Sequence, residues 1–341
     1  MTSARRSSSA EAPARSDVSV VICAFADERW TWLEDAVRSI RVQSVPAREI
    51  IVVIDHNDRL LDRVMHELPD VVALANDGDR GAGGARNVGV EAASGSIVAF
   101  LDDDAQAVPR WIEYMLGPLA SPGTLGVGGE VAPNWETSRP PWFPPEFDWV
   151  IGCSYRGLPT AQAPVRNLMA GNMALRRDVF SELGGYRHGH GNVQMMEDQL
   201  DGAKRRRFVT RQSGCEETEF CIRGLQHWPG SVWLYHPEVR IHHWVPAARV
   251  RWQYFMARCF DEGLAKATVV VRFAGQQDGL ATERSYVART LTRGIVRGAL
   301  DSLGGDLWGL GRAGAIMVGG VITAIGYLRG RLAVAFAPSE S

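Results

Sequence analysis

Three consecutive aspartates, Asp102, Asp103 and Asp104, follow the apolar run Ser96-Ile-Val-Ala-Phe-Leu101. Such a run reads as a buried parallel strand, which places the carboxylates at its carboxyl end, the edge where open α/β sheets bind ligands. Bare carboxylates this close repel one another, by roughly 4 kcal/mol per pair at 4 Å and an effective dielectric near 20. A cation relieves that repulsion. Hard divalent ions such as Mg²⁺ take one or two carboxylates together with substrate phosphates, so the triplet first suggests a metal–diphosphate site. An acidic loop capping the next helix is the simpler alternative.

Three further features could join that site. Asp55 ends the apolar run Glu49–Ile54, Arg86 and Asn87 open a helix behind the glycine-rich stretch Gly78 to Gly84, and Glu216 and Glu217 begin a later helix. Acidic residues in a first helical turn also suit the helix macrodipole, so the glutamates alone do not define catalysis.

The elements that must position these residues are legible in the pattern. Val18–Ala24 is β-branched and predicts a buried strand. Thr31-Trp-Leu-Glu34 fits a capping box, with Leu33, Ala36, Val37 and Ile40 following at helical spacing. Strands are expected at 49–54, 71–75 and 96–101, with a helix over 85–93. This alternation implies a doubly wound, mostly parallel sheet.

The second half predicts strands at 125–131, 172–175, 232–235 and 239–242, and helices at 178–183, 216–225 and 250–265. Residues 133–159 carry Trp135, Pro140, Pro141, Trp142, Phe143, Pro144, Pro145, Phe147 and Trp149. So many prolines argue against a regular element. The aromatics read either as a sugar-stacking surface or as a packed lid. Residues 186–214, including Lys204-Arg-Arg-Arg207, look like an inserted loop whose basic run is either solvated or meets an anionic acceptor or lipid headgroups.

Composition narrows the function classes. Across 341 residues, 37 basic and 39 acidic side chains nearly balance, which gives no reason to expect a nucleic-acid binder. Lysine is scarce beside arginine, alanine and glycine, a bias that fits a GC-rich genome. Five scattered cysteines form no C-x-x-C pair and suggest neither a disulfide framework nor a zinc site, which points to a reducing, cytoplasmic compartment. Residues 1–16 are small and polar and read as a disordered tail without the apolar stretch of a signal peptide. Ala313–Leu328 is free of charge and flanked by arginines. Its sixteen residues fall short of the ~20 that a spanning helix needs, so core packing or contact with the inner membrane face is expected before a span.

The ordered motifs VSVVICAFADERW (18–30), EIIVVID (49–55), GGARNVGVEAASGSIVAFLDDDA (83–105), GNMALRRDVFSELGGY (171–186) and CEETEFCIR (215–223) resemble those of bacterial, actinobacterial-like family-2 inverting glycosyltransferases with a GT-A fold. The resemblance covers roughly residues 17–265, a nucleotide-sugar half over 17–131 and an acceptor half over 132–265. It leaves 266–341 as a helical, membrane-associating region. It implies that Ala24, Phe25 and Glu28 cradle a nucleotide and that Asp55 accepts a hydrogen bond from its base, unless Asp55 is a helix N-cap. Arg86 and Asn87 would meet the nucleotide or its phosphates; a surface ion pair is the plainer role for Arg86.

The same resemblance implies that Asp104 ligates Mg²⁺ or Mn²⁺, that Asp102 reaches the ribose or a metal-bound water, and that Asp103 assists. On an extended chain Asp102 and Asp104 point one way and Asp103 the other. A late histidine, His243 rather than His242, would complete the metal shell. Glu217 would be the general base that takes the proton of an acceptor hydroxyl, with Glu216 or Glu219 as alternatives in register. Arg251 and Arg258 would steady phosphates or solubilise their helix. The implied reaction moves a sugar from a UDP-linked donor to a glycan, glycolipid or small-molecule hydroxyl. Two rivals are a sugar-phosphate nucleotidyltransferase, disfavoured because Ala24-Phe-Ala-Asp-Glu28 replaces a phosphate-binding loop, and a non-catalytic nucleotide- or sugar-binding scaffold.

Overall fold

The computed structural model describes residues 16–187, 196–200, 203–207, 216–272 and 281–335. Along the first half, β1 (Val18–Ala24), α1 (Trp30–Arg41), β2 (Glu49–Asp55), α2 (Asp58–Glu67), β3 (Val72–Asn76), α3 (Ala82–Ala92) and β4 (Ile97–Asp102) alternate. The chain turns through Asp103 and Asp104 into β5 (Ala105–Ala107), α4 (Trp111–Leu119), β6 (Thr124–Gly128) and β7 (Val131–Trp135). A 3-10 turn at Pro145–Ile151 precedes β8 (Ala163–Val165), β9 (Asn172–Arg176) and α5 (Arg177–Glu182). Then come the hairpin β10 (Met196–Leu200) and β11 (Ala203–Arg207), α6 (Glu216–His227), β12 (Val232–Tyr235) and β13 (Ile241–Val245). The C-terminal helices are α7 (Trp252–Arg272), α8 (Ala281–Ser285), a π-helical turn at Tyr286–Leu291, α9 (Thr292–Leu303) and α10 (Trp308–Ala335).

The main sheet orders its eight strands β3-β2-β1-β4-β9-β6-β12-β8. Only β9 and β8 run antiparallel to their neighbours. β1, β2 and β4 are parallel and finish on one edge, where Cys23 pairs with Val53 on one side and Asp102 on the other. These strands bury Val20, Val21, Ile22, Ile51, Val52, Val53, Val98 and Phe100. Continuous apolar runs are what a sheet covered by helices on both faces requires. A second sheet, β5-β13-β7, starts where β4 stops.

Several boundaries differ from expectation, for identifiable reasons. Helix α1 starts at Trp30, directly from a 3-10 turn over Asp27–Arg29, so Thr31 lies inside it and makes no capping box. Gly83 and Gly84, expected within the loop, lie instead in the first turn of α3, which begins at Ala82. The strand expected over 125–131 splits, because Gly126–Gly128 pair with β9 while Val131 pairs with Ile241 in the second sheet. Pro133 sits within β7, which tolerates it as an edge strand. The strand expected at 239–242 runs instead over Ile241–Val245.

Of the two readings of the aromatic segment, packing describes most of it. Phe143 and Phe147 are buried, and Trp142, Trp252 and Phe255 close around them with ring centroids 4.9 to 5.6 Å apart. Helix α10 has 28 residues, not the sixteen that its uncharged stretch suggested. One face lies so close to α7 that Gly263 meets the Thr323 carbonyl and Gly326 the Phe260 carbonyl. The opposite face leaves Leu310, Met317, Val321, Ile325, Leu328 and Leu332 exposed. Helix α7 itself runs through the boundary expected at 265.

Within the expected 186–214 loop, β10 and β11 pair antiparallel and Lys204–Arg207 fall on β11; residues 188–195, 201–202 and 208–214 lie outside the described residues. So does the expected tail except for Ser16, whose N–H and hydroxyl donate to the Pro46 carbonyl.

Candidate active site

The carboxyl edge of β1, β2 and β4 gathers the expected residues, but the aspartates divide differently from the alternation rule. Asp102 is the last residue of β4, and the chain then turns, so Asp103 and Asp104 no longer alternate as on a strand. Asp102 turns to Arg86, whose Nη2 donates to Oδ1 at 3.0 Å. Asp103 and Asp104 both face Arg29 instead. Behind Asp102 lies Gly171, where a Cβ would fall 2.0 Å from Asp102 Oδ2.

Asp103 and Asp104 are 3% and 6% exposed. Arg29 Nη2 lies 3.0 Å from Asp103 Oδ1 and also contacts Asp104 Oδ2. Asp104 Oδ1 is 3.2 Å from His243 Nε2, and Arg249 Nη2 is 3.8 Å from Asp104 Oδ2. Asp103 Oδ2 is buried without a hydrogen-bond partner. Burial pushes the Asp103 carboxyl up, beyond what Arg29 offsets. Burial acts on Asp104 in the same sense, but His243, Arg29 and Arg249 together hold it well below the usual range.

His243 reaches Asp104 because β13 pairs antiparallel with β5, setting His243 opposite Ala105, and because the Trp244 N–H donates to the Asp104 carbonyl at 2.8 Å. Alternation along β13 buries His243 and exposes His242. Cys153 Sγ lies 3.7 Å from its Nδ1. Asp103, Asp104 and His243 are donors of the chemistry that suits Mg²⁺ or Mn²⁺, and the unpartnered Asp103 Oδ2 is an oxygen such an ion could take. Among the described residues no three of His, Cys, Asp and Glu are gathered closely enough to make a ready cation cage. A guanidinium stands between the aspartates instead.

Helix α3 links the aspartates to the glutamates. Arg86, in its second turn, holds Asp102, and Gly83, in its first, lies against Glu216. The Gly83 N–H bonds to Glu216, satisfying one of the free donors at that helix end. Burial, then the neighbouring Glu217 charge, lifts Glu216 up to about 7 against the pull of Arg86. Burial also raises Glu217, with Arg86 opposing. Glu219 is spent elsewhere: Arg223 grips both its oxygens, at 2.7 and 2.9 Å, and also donates to the Gly185 carbonyl at 2.7 Å. This removes Glu219 as an alternative base.

The nucleotide-binding expectations fare unevenly. Ala24 is buried and can offer only its backbone, whereas Phe25 is 51% exposed and Glu28 is exposed on the turn that follows. Asp55 is not a helix N-cap, because Asn57 caps α2 by accepting from the Leu60 N–H at 3.0 Å. Its oxygens accept from Asn76 Nδ2 at 2.6 Å and the Gly81 N–H at 3.0 Å, tying β2 to the glycine turn. Asn87 bonds to the backbone: its amide donates to the Tyr186 carbonyl and accepts from the Tyr186 N–H, both at 2.9 Å. Arg251 precedes α7 and is exposed, and Arg258 lies beside Asp261.

The residues missed from sequence are Arg29 and Arg249. Arg29 is the one cationic residue between Asp17 and Trp30, and Arg249 follows His243 by six positions. Both signals were available, but neither says which carboxylate the long side chain reaches.

Comparison with known proteins identifies the family and the fold. Residues 19–184 match the model of glycosyl transferase family 2. The glucosyl-dolichyl phosphate glucuronosyltransferase of Haloferax volcanii is 32% identical over 76% of this chain and 80% of its own length. The succinoglycan biosynthesis protein ExoM of Rhizobium meliloti is 25% identical over 72% of each. Among solved structures, a mannosyltransferase from Pyrobaculum calidifontis in complex with GDP-Man and Mn²⁺ aligns with a TM-score of 0.52 at 15% identity, over 95% of this chain and 82% of that one. The chain belongs to the family-2 glycosyltransferases and adopts their GT-A fold, a mixed sheet followed by C-terminal helices.

Proposed function

We propose that this glycosyltransferase moves a sugar from a UDP-linked donor to an acceptor hydroxyl with inversion, in a divalent-metal-dependent reaction. The observation that carries this reading is the meeting at the start of α3, where Arg86 holds Asp102 and Gly83 holds Glu216. Asp102, which ends β4, and Glu216, which opens α6, are thereby brought to a common helix.

Phe25 offers an exposed ring to the donor base, and Asp55 braces the glycine turn beside it. Asp104 and His243 would hold Mg²⁺ or Mn²⁺, with Asp103 assisting and Asp102 set toward the ribose. When bound, the metal neutralises charge on the departing diphosphate. Glu217 accepts the acceptor's proton as its oxygen attacks the anomeric carbon, and Glu216 holds the start of α6 against α3.

The acceptor is lipid-carried and is met at the cytoplasmic face of a membrane. The Haloferax relative is named for a glucosyl-dolichyl phosphate substrate. Among the described residues, thirteen of the eighteen large exposed apolar side chains lie between Val287 and Leu332, on α9, α10 and the turns beside them. Helix α10 is long and apolar enough to cross a membrane, but its close seam with α7 favours a helix lying on the lipid surface.

The deciding experiment is a thermal-shift panel of UDP, GDP, dTDP and CDP, each with and without Mn²⁺. A ligand at 100 times its Kd adds about 2.7 kcal/mol to the native state. UDP is expected to raise the midpoint only with metal, and Asp104→Ala to remove the rise. Stabilisation by no nucleotide would overturn the reading.

A further inference from the structure

The guanidinium of Arg29 lies where the site's cation belongs. It touches both Asp103 and Asp104, whose side chains are each only 4% exposed, while its own is 17% exposed. Two buried carboxylates with no cation between them would be costly, since removing one partner of a buried pair leaves an uncompensated charge. Arg29 supplies that charge but does not saturate the oxygens, because Asp103 Oδ2 keeps no partner. Its seat lies on a short turn outside the sheets. It ends a three-residue 3-10 turn and rests between the rings of Phe25 and Trp32, 5.4 and 5.8 Å from their centroids. Arg249 stands beside it, 3.8 Å from Asp104, as a second and more distant cation. The segment between β1 and α1 that carries Arg29 also carries Phe25 and Glu28, on the donor side of the site.

We propose that Arg29 is a positioning residue that serves as the site's internal counter-cation, yielding Asp103 and Asp104 to the divalent metal and pairing with the donor diphosphate as it does so. The inference rests on the metal-dependent reading above and adds a coupling to it. One guanidinium cannot hold the aspartates and a diphosphate at once. Metal alone must displace Arg29 without recompense, whereas metal with nucleotide gives Arg29 a new anion. A planar guanidinium suits either partner, since it grips carboxylates and phosphates in the same bidentate manner. Metal and nucleotide therefore bind cooperatively, and by linkage each strengthens the other by the same factor.

The test is Mn²⁺ titration of the full chain, followed by the electron paramagnetic resonance of free Mn²⁺, with and without UDP, for wild type, Arg29→Gln and Arg29→Lys. Arg29→Gln is expected to bind Mn²⁺ alone at least about tenfold more tightly than wild type, equivalent to about 1.4 kcal/mol. It should also lose most of the gain that UDP confers. A merely structural role for Arg29 would weaken Mn²⁺ binding in this variant. Arg29→Lys keeps the charge but loses the planar fork, and should show the same tightening to a smaller degree. It carries the test if the glutamine variant does not fold. If neither variant binds Mn²⁺ more tightly while UDP still enhances binding, the inference is overturned and the metal-site reading survives. If wild type binds no Mn²⁺ even with UDP, GDP, dTDP or CDP, both fall.

Discussion

Replacing Gly171 with alanine tests the site through one methyl group. The added Cβ would fall 2.0 Å from Asp102 Oδ2 and 2.4 Å from its Cγ. Carbon contacts are comfortable at about 3.5–4.0 Å, so one side must retreat by more than about 1 Å. The backbone beside Gly171 is poorly placed to do so. Asn172 is fully buried, its amide donates to the Glu130 and Val239 carbonyls at 3.1 and 2.8 Å, and its Oδ1 accepts from the Trp111 indole at 2.8 Å. The Asp102 side chain, 39% exposed, is the part that can move, and moving it breaks the 3.0 Å bond to Arg86. Overpacking of this kind costs about 1–3 kcal/mol. A misplacement of ~1 Å in a catalytic constellation can cost about 100-fold in rate. The expected result is a loss of about 100-fold in kcat/KM for the UDP-sugar, with a modest fall in Tm. The assay is transfer of radiolabelled sugar, repeated in an Asp102→Ala background, where the glycine substitution should add little further loss. Full additivity of the two changes, or wild-type kcat/KM in a folded Gly171→Ala protein, would refute the reasoning.

Other consequences follow from the same geometry. Glu217→Gln should bind UDP and Mn²⁺ normally yet lose about 10²–10⁴ in kcat, the usual worth of a general base; transfer at the wild-type rate would sink the assignment. Because burial raises Glu217 and the base must be ionised, kcat should fall as pH drops through that raised value, above the ordinary 4.5; an acid limb at or below 4.5 would contradict it. Glu216, lifted to about 7 from 4.5, favours the folded state when protonated. That stability is fully present below about pH 4.5 and lost as pH rises through 7, so Glu216→Gln should flatten the pH dependence of Tm over this window. Glu219→Gln breaks a buried bidentate pair and should cost about 3–5 kcal/mol in denaturant titration, while the folded fraction keeps its kcat. Val321→Glu with Ile325→Glu should reduce co-flotation with anionic liposomes and leave UDP binding intact; unchanged flotation would count against the α10 surface.

How much of the protein its sequence determines depends on the range of the interaction concerned. The strands ending at Ala24, Asp55 and Asp102 were legible because burial on both faces demands unbroken β-branched runs, and such runs admit few alternatives. The family was legible from ordered motifs, and with it the expectation that the aspartates and the opening of α6 share one site. That one of His242 and His243 turns inward followed from strand alternation; the register of β13 against β5 decided that it is His243. Tertiary structure decided where side chains spend their hydrogen bonds. Asn87 closes on the Tyr186 backbone, 99 residues away, and Glu219 goes to Arg223, which also ties down the Gly185 carbonyl. The alternation that should have separated Asp103 from Asp104 failed because the strand ends one residue earlier, a boundary set by pairing in two different sheets. The role of Arg29 is the clearest case. A flexible arginine can reach any of several carboxylates, and only packing against Phe25 and Trp32 directs it to this pair.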